Sequence, residues 1–236
     1  MAYKNLIEDK IISYRDMCAA EKEQALQRGM NFRLNPKYSV ILMSQKTNAP
    51  YHDKIMSDGI TIKYEGHDEP KQPKKIIDPK IIDQPQFTKN GNLTQNGKFI
   101  KAIKEYKNKT NKPEIVKAYE KILSGVWSLK GFFDLVDYKT HHDGKRSVFI
   151  FILRLSKYQN IKHSKSIDIK HTRLIPSEVK KEVWKRDKGQ CVLCGSKKNL
   201  HFDHDLPFSK GGTSLTKKNI KLLCAKCNLK KSNKIE

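Results

Sequence analysis

Cys191-Val-Leu-Cys194-Gly195 and Cys224-Ala-Lys-Cys227-Asn228 bracket the stretch Leu200-His-Phe-Asp203-His204-Asp205-Leu-Pro207-Phe-Ser-Lys-Gly211-Gly212 near the end of a 236-residue chain. Each Cys-x-x-Cys is a tight turn that can aim two sulfurs at one point. Two such turns supply the four thiolates of a closed tetrahedral zinc site. Four sulfurs leave the ion no open position, so Zn2+ on Cys191, Cys194, Cys224 and Cys227 is expected to be structural. It staples a segment too short for a large core, and its binding free energy becomes folding free energy. Any chemistry must use a different site.

A reducing compartment disfavours disulfides and favours metal thiolates. Residues 1–10 already carry Lys4, Glu8, Asp9 and Lys10, which does not read as a signal peptide. No apolar run approaches membrane-spanning length. A cytoplasmic protein without a membrane partner is expected, with thiols held reduced. The fifth cysteine, Cys18, stands alone in an apolar pattern and reads as a small core residue. Lys plus Arg number 48 against 25 acids, a formal net charge of +23. Such a field draws polyanions, because each neutralised phosphate releases counterions, so DNA or RNA leads the candidate partners over a solubilising lysine surface or a membrane-facing patch, and double-stranded DNA is the partner expected for the chain as a whole.

Working outward from the cysteines, Pro176–Asp187 predicts a short helix with Val179, Val183 and Trp184 on one apolar face. Ser156–Arg173 is basic and aperiodic and reads as a linker that is either a solvated tether or a rider on a phosphate backbone. The segment from Asp203 to Asn228, with Arg186-Asp187 ahead of it and Pro207, Gly211-Gly212, Asn219 and Cys227-Asn228 within it, resembles the HNH endonuclease family over residues 174–234. The resemblance implies a ββα-metal fold stapled by zinc. It also implies roles: His204 as general base on the attacking water, Asp203 and Asn228 as ligands of a catalytic Mg2+ or Mn2+, and Asn219 as the amide that orients the His204 loop. Phosphodiester hydrolysis needs this set, namely a base that works near neutral pH and a cation at the crowded negative charge. The family's third letter is often histidine; here it is Asn228. Lys230 and Lys231 are expected along the phosphate path. His201 and Asp205 read as flanking residues.

The first 155 residues have another texture. Lys4–Met30 carries apolar residues at helical intervals, and Gly97–Tyr106 and Pro113–Leu123 also predict helices. Tyr38–Met43, Gly59–Gly66, Gly131–Tyr138 and Arg146–Leu155 predict strands, with a turn at His142–Lys145. Asp68–Gln86, with four prolines, predicts a loop. Tyr51-His-Asp53, Asp58-Gly59, Tyr64-Glu-Gly66 and the two late strands resemble the SRA family (SET- and RING-associated domain), which binds a modified cytosine flipped out of duplex DNA. The resemblance spans about residues 36–155. It implies that Tyr51 and Tyr64 sandwich the base and that Asp53 takes its exocyclic amine, since a flipped base must recover its lost stacking. The family's Tyr-Asp-Gly is here Leu129-Lys130-Gly131, and Glu65 stands where a small hydroxyl residue is usual; both bear on which modification is read.

The expected architecture is therefore α+β: an SRA-like mixed α/β recognition domain with a twisted sheet or barrel over 1–156, a basic linker over 157–173, and a zinc-stapled HNH domain over 174–236. The expected function is modification-dependent restriction, with binding of 5-methylcytosine or 5-hydroxymethylcytosine DNA by base flipping and hydrolysis by the HNH site. One HNH site cuts one strand, so double-strand cleavage implies a homodimer, at least on DNA. Two other readings stay open at this level: a sequence-specific restriction or homing HNH enzyme on unmodified DNA, and a non-catalytic zinc protein that only binds DNA.

Overall fold

The computed structural model describes residues 10–46, 49–70, 78–157, 175–205 and 216–231. The chain runs β1 (Lys10–Ser13), α1 (Tyr14–Ala20), β2 (Met30–Asn35), β3 (Tyr38–Met43), β4 (Lys54–Ile55), β5 (Thr61–Glu65), α2 (Gln95–Lys107), β6 (Glu114–Leu123), β7 (Val126–His142), β8 (Ser147–Leu155), α3 (Ser177–Arg186), β9 (Leu200–His204), β10 (Ile220–Cys224) and α4 (Ala225–Lys231). Expected strands and the helices at 97–106 and 176–187 lie where the sequence pattern put them. The expected linker falls mostly on 158–174, outside the described residues.

Strand β7 organises the sheet. At 17 residues it pairs with β1 and β6 over its first half and with β8 over its second. The strand order is β10-β9-β1-β7-β6-β3-β2, with β8, β5 and β4 branching from the far end of β7. All these pairings are antiparallel except β3 with β6. Alternate residues on a strand face opposite sides, so neighbours divide between two cores. Ile41, Val116, Phe133 and Phe151 meet Phe99, Ile100 and Ile103 of α2 on one side, while Val40, Tyr119 and Trp127 meet Met17, Cys18 and Leu26 on the other.

Two predicted helices are corrected. Pro113–Leu123 is strand β6: its Ile115, Val116, Ala118, Tyr119 and Ile122 also fit a helical spacing, but bulges at Ala118/Tyr119 and Lys121/Leu123 disturb the strand's period of two. Ser124-Gly125, with Gly125 at φ +73°, closes the hairpin into β7. Of the expected helix Lys4–Met30, the described residues 10–30 are helical over Tyr14–Ala20. Ser13 caps that helix by accepting from the Asp16 N–H, while Lys10–Ser13 pair edge to edge with Val126–Leu129. Tertiary pairing outweighs local propensity here. The helix stops at Glu21, a buried carboxylate that accepts from Tyr119 Oη at 2.6 Å, Lys117 Nζ at 2.6 Å and Tyr38 Oη at 3.1 Å.

The sheet continues across the boundary expected near residue 156. Lys10 of β1 faces His201 of β9, and Ile11 packs against both C-terminal clusters, beside Phe202, Leu222, Cys191 and Leu223. A polar clasp reinforces the join. Glu120 of β6, fully buried, lies 3.2 Å from Lys130 Nζ and accepts from Ser177 Oγ of α3 and from Gln45 Nε2 at 3.0 Å. Lys180 of α3 donates to Ser128 Oγ at 3.0 Å. Burial pushes the Glu120 carboxyl up, but Lys130 and then Lys180 outweigh it and hold the group below its usual range. Removing one partner of a buried charge pair strands the other. Lys130→Met is expected to cost about 3–5 kcal/mol in urea unfolding, and adding Glu120→Leu should recover much of the loss.

Candidate active site and base-binding cavity

The four C-terminal cysteines come together. Gly195, at φ +71°, turns the first knuckle so that its N–H donates to Cys191 O at 2.8 Å, and the Cys191 N–H donates to Ser196 O at 2.8 Å. The second knuckle is the joint between β10 and α4, where the Cys227 N–H points at Cys224 Sγ, 3.5 Å away. The ligand atoms of Cys191, Cys194, Cys224 and Cys227 all lie within 4.8 Å of one another, and Cys194 Sγ and Cys224 Sγ are 3.6 Å apart. Bonds of about 2.3 Å to a central ion put sulfurs about 3.8 Å apart in a tetrahedron. The donor set and its spacing fit a metal ion.

At the other end of the β9–β10 hairpin sit the residues expected to do chemistry. Pairing sets Ile220 opposite His204 and Lys221 opposite Asp203, and the Asp205 N–H donates to Asn219 O at 2.7 Å, which ties the strand ends together. Asn219 stands at the end of a short 3-10 turn, Lys217–Asn219. Asn228 is buried on α4, which packs across both strands, and Asp203 is equally buried. Arg186 and Asp187 lock α3 to this hairpin: Asp187 Oδ2 accepts from the Leu222 N–H at 2.9 Å, and Arg186 donates to Ile220 O at 2.7 Å. Pro207, Gly211 and Gly212 lie outside the described residues.

Lys231 departs from expectation. It is 3% exposed rather than aligned along a phosphate path. Its Nζ lies 3.1 Å from Asp203 Oδ2, 2.6 Å from His204 O and 3.7 Å from Asp205 Oδ1. Hard oxygen donors converge on a cation here, which fits the donor chemistry of a Mg2+ or Mn2+ site. The side chain points inward because α4 presents Asn228 and Lys231, three residues apart, on one face. Lys230, its neighbour, is exposed.

The expected base pocket also rearranges. Tyr51 lines a cavity of about 990 Å3 together with His67, Asp68, Lys80, Asn96 and the Gly29 backbone. Tyr64 does not line it. Its ring is in the core, and its hydroxyl donates to Gly29 O at 2.8 Å. Asp53 is buried, and its two oxygens accept from the Ser44 and Glu65 N–H groups, each at 3.1 Å. Burial raises the Asp53 carboxyl to about 7. The aromatic partner of Tyr51 is instead His67, stacked at 5.7 Å between centroids with 18° between planes, and Lys80 Nζ caps the tyrosine 3.9 Å from its ring centre. Asp68 is held by Arg146 at 2.7 Å and Lys80 at 2.9 Å. The signal in sequence was present: His67-Asp68 follows Gly66 directly at the end of a predicted strand. Asn96 ties this corner down, since its Oδ1 accepts from the His67 N–H and its Nδ2 donates to His67 O.

Residues 191–234 match the family described as HNH endonuclease. No curated protein matches the chain. Among solved structures, the SRA domain of SUVH5 with hemi-methylated CG DNA is 15% identical at a TM-score of 0.44, over 67% of this chain and 94% of that one. The modification-dependent TagI restriction endonuclease is 17% identical at a TM-score of 0.41, over 96% of this chain and 77% of that one. KRYPTONITE in complex with mCHG DNA is 16% identical at 0.42, over 68% of this chain and 33% of that one. The residues that match the HNH endonuclease family take in the four clustered cysteines, β9, β10 and α4, and they adjoin a mixed α/β body. No helix among the described residues is long and apolar enough to cross a membrane.

Two outcomes are expected. Cys194→Ser should lose bound metal by elemental analysis and lower the melting temperature, and a chelator should reproduce the shift in the parent protein. Burial holds the His67 imidazole down at about 4, against its usual 6.5. The folded value lies below the unfolded one, so the neutral ring contributes stability above pH 6.5 that is lost as pH falls toward 4. His67→Phe should flatten thermal stability over that window relative to the parent.

Proposed function

We propose that this protein is a modification-dependent DNA endonuclease, in which residues 1–156 read a modified cytosine in double-stranded DNA and residues 174–236 hydrolyse the phosphodiester bond. The observation that carries the nuclease reading is the short hairpin pinned by four sulfurs at one end and bearing Asp203, His204 and Asn219 at the other, with Asn228 closing over it from α4. On this reading Zn2+ on the four cysteines is structural. Asp203 and Asn228 would hold a Mg2+ or Mn2+, which when bound would supply charge neutralisation at the scissile phosphate. His204, partly exposed at the strand end, takes the proton from the attacking water. Asn219 would orient the backbone next to His204, since its carbonyl accepts from the Asp205 N–H at 2.7 Å. The exposed Lys230 and the net charge of +23 favour the polyanion.

The cavity beside Tyr51 supports a base-flipping reader. It pairs an aromatic face with polar groups able to address a Watson–Crick edge, and its volume exceeds that of one nucleobase. A flat base needs about 7 Å between the faces that hold it. A base would enter by parting the Tyr51–His67 stack, or by taking the place of the Lys80 ammonium over the Tyr51 ring. A 5-methyl or 5-hydroxymethyl group is the expected discriminating feature. Two molecules meeting on DNA would account for cutting both strands.

The test is digestion of matched unmodified, methylated and hydroxymethylated DNA with Mg2+ or Mn2+. Modified substrates are expected to be cut and the unmodified one spared, and His204→Ala should lower the rate by about 10²–10⁴-fold. Equal digestion of all three would leave a nuclease without modification dependence. Binding with no metal-dependent nicking in the parent protein would leave only a DNA-binding role.

A further inference from the structure

The Lys231 side chain reaches Asp203 from inside the fold, and its surroundings are unusual for a lysine. It is 3% exposed, sits 3.1 Å from Asp203 Oδ2 and 2.6 Å from His204 O, and has a second carboxylate, Asp205 Oδ1, waiting at 3.7 Å. Asp203 on β9 and Asp205 just past the end of that strand both reach the Lys231 ammonium, which comes from α4. Asp205 is held in turn by Lys221 Nζ at 2.8 Å. The ammonium thus lies between two carboxylates, one buried and one partly exposed.

We propose that Lys231 is a built-in counter-cation of the catalytic site: it holds the Asp203 carboxylate until a divalent metal arrives, then passes to Asp205. The proposal rests on the nuclease reading, in which Asp203 ligates that metal. A buried carboxylate with no cation nearby is strongly disfavoured. With the ammonium present, Asp203 is neutralised and aligned before any metal binds, and the incoming ion must compete for it. Asp205 lowers that barrier by offering the displaced ammonium another anionic partner less than 4 Å away, while His204 O keeps its hydrogen bond. No bond is broken and no proton moves; one cation changes its partner. Lys231 is therefore a positioning residue that sets metal affinity, and Asp205 acts through it.

The measurement is Mn2+ binding to the full chain without DNA, by electron paramagnetic resonance of the free ion, with structural zinc content checked for each variant. Removing a like charge this close should tighten Mn2+ binding by about tenfold or more in Lys231→Met, and Lys231→Gln serves if the methionine variant does not fold. Asp205→Asn should weaken binding in the parent but have no effect in the Lys231→Met background. Unchanged or weaker binding in both lysine variants overturns the proposal. So does an Asp205→Asn effect that persists without Lys231, which would make Asp205 a direct ligand. Asp203→Asn separates the two levels of inference. If that change leaves Mn2+ binding intact, the ion is not on Asp203 and the assignment of the catalytic metal fails with it. If it abolishes binding while the lysine variants behave like the parent, the metal assignment stands and only the counter-cation role falls.

Discussion

Strands β9 and β10 have five residues each and α4 has seven, far too little to bury a core on their own. The two strands share a core with Ile11, Val179 and Val183, and their ends are tied by the convergence of four sulfurs from two chain segments about thirty residues apart. That single constraint fixes the start of β9, the end of β10 and the origin of α4 at once. Because α4 begins at the second knuckle, the sulfurs also decide which of its faces looks back at the hairpin, and hence that Lys231 meets Asp203 of β9. The Asp203 end of the hairpin is thus positioned from its cysteine end.

The sequence was most legible where the chemistry restricts residue type and spacing together. Two Cys-x-x-Cys pairs, an Asp-His dipeptide and Asn219 between them leave few alternatives, and the structure brings these residues to one small hairpin. The strands at 38–43, 61–65, 131–138 and 147–155 were legible because uninterrupted β-branched and aromatic runs have no competing reading. Residues 114–123 were not, because two bulges break the alternation that identifies a strand. Residues 10–13 were not, because their conformation is set by a partner over a hundred residues away.

Side-chain direction was the least legible level. Tyr64 and Asp53 have the residue types of a pocket, but position on the sheet sends the first into the core and gives both oxygens of the second to backbone N–H groups. Lys231 has the composition of a phosphate contact and the placement of an internal ion pair. In each case a polar group found a partner inside the protein, which no pattern along one chain can reveal. His67 shows the converse: a residue unremarked in a turn becomes the stacking partner of Tyr51, because Asn96 clamps its backbone from a helix some thirty residues downstream.

Gln45 is a small part of this structure with a wide reach. Its Oε1 accepts from the Ile55 N–H, two residues beyond Asp53, while its Nε2 grips Glu120 and Ser177 at the foot of α3. One amide side chain thus spans the body that carries the Tyr51 corner and the helix that carries the nuclease hairpin. A blade on a slack cord strikes anywhere within its radius; a blade bolted to its handle strikes at a set offset. If the two ends of this molecule do read and cut, their separation is a gauge length written into the protein, and the spacing between mark and nick along the duplex inherits its narrowness from that bolt.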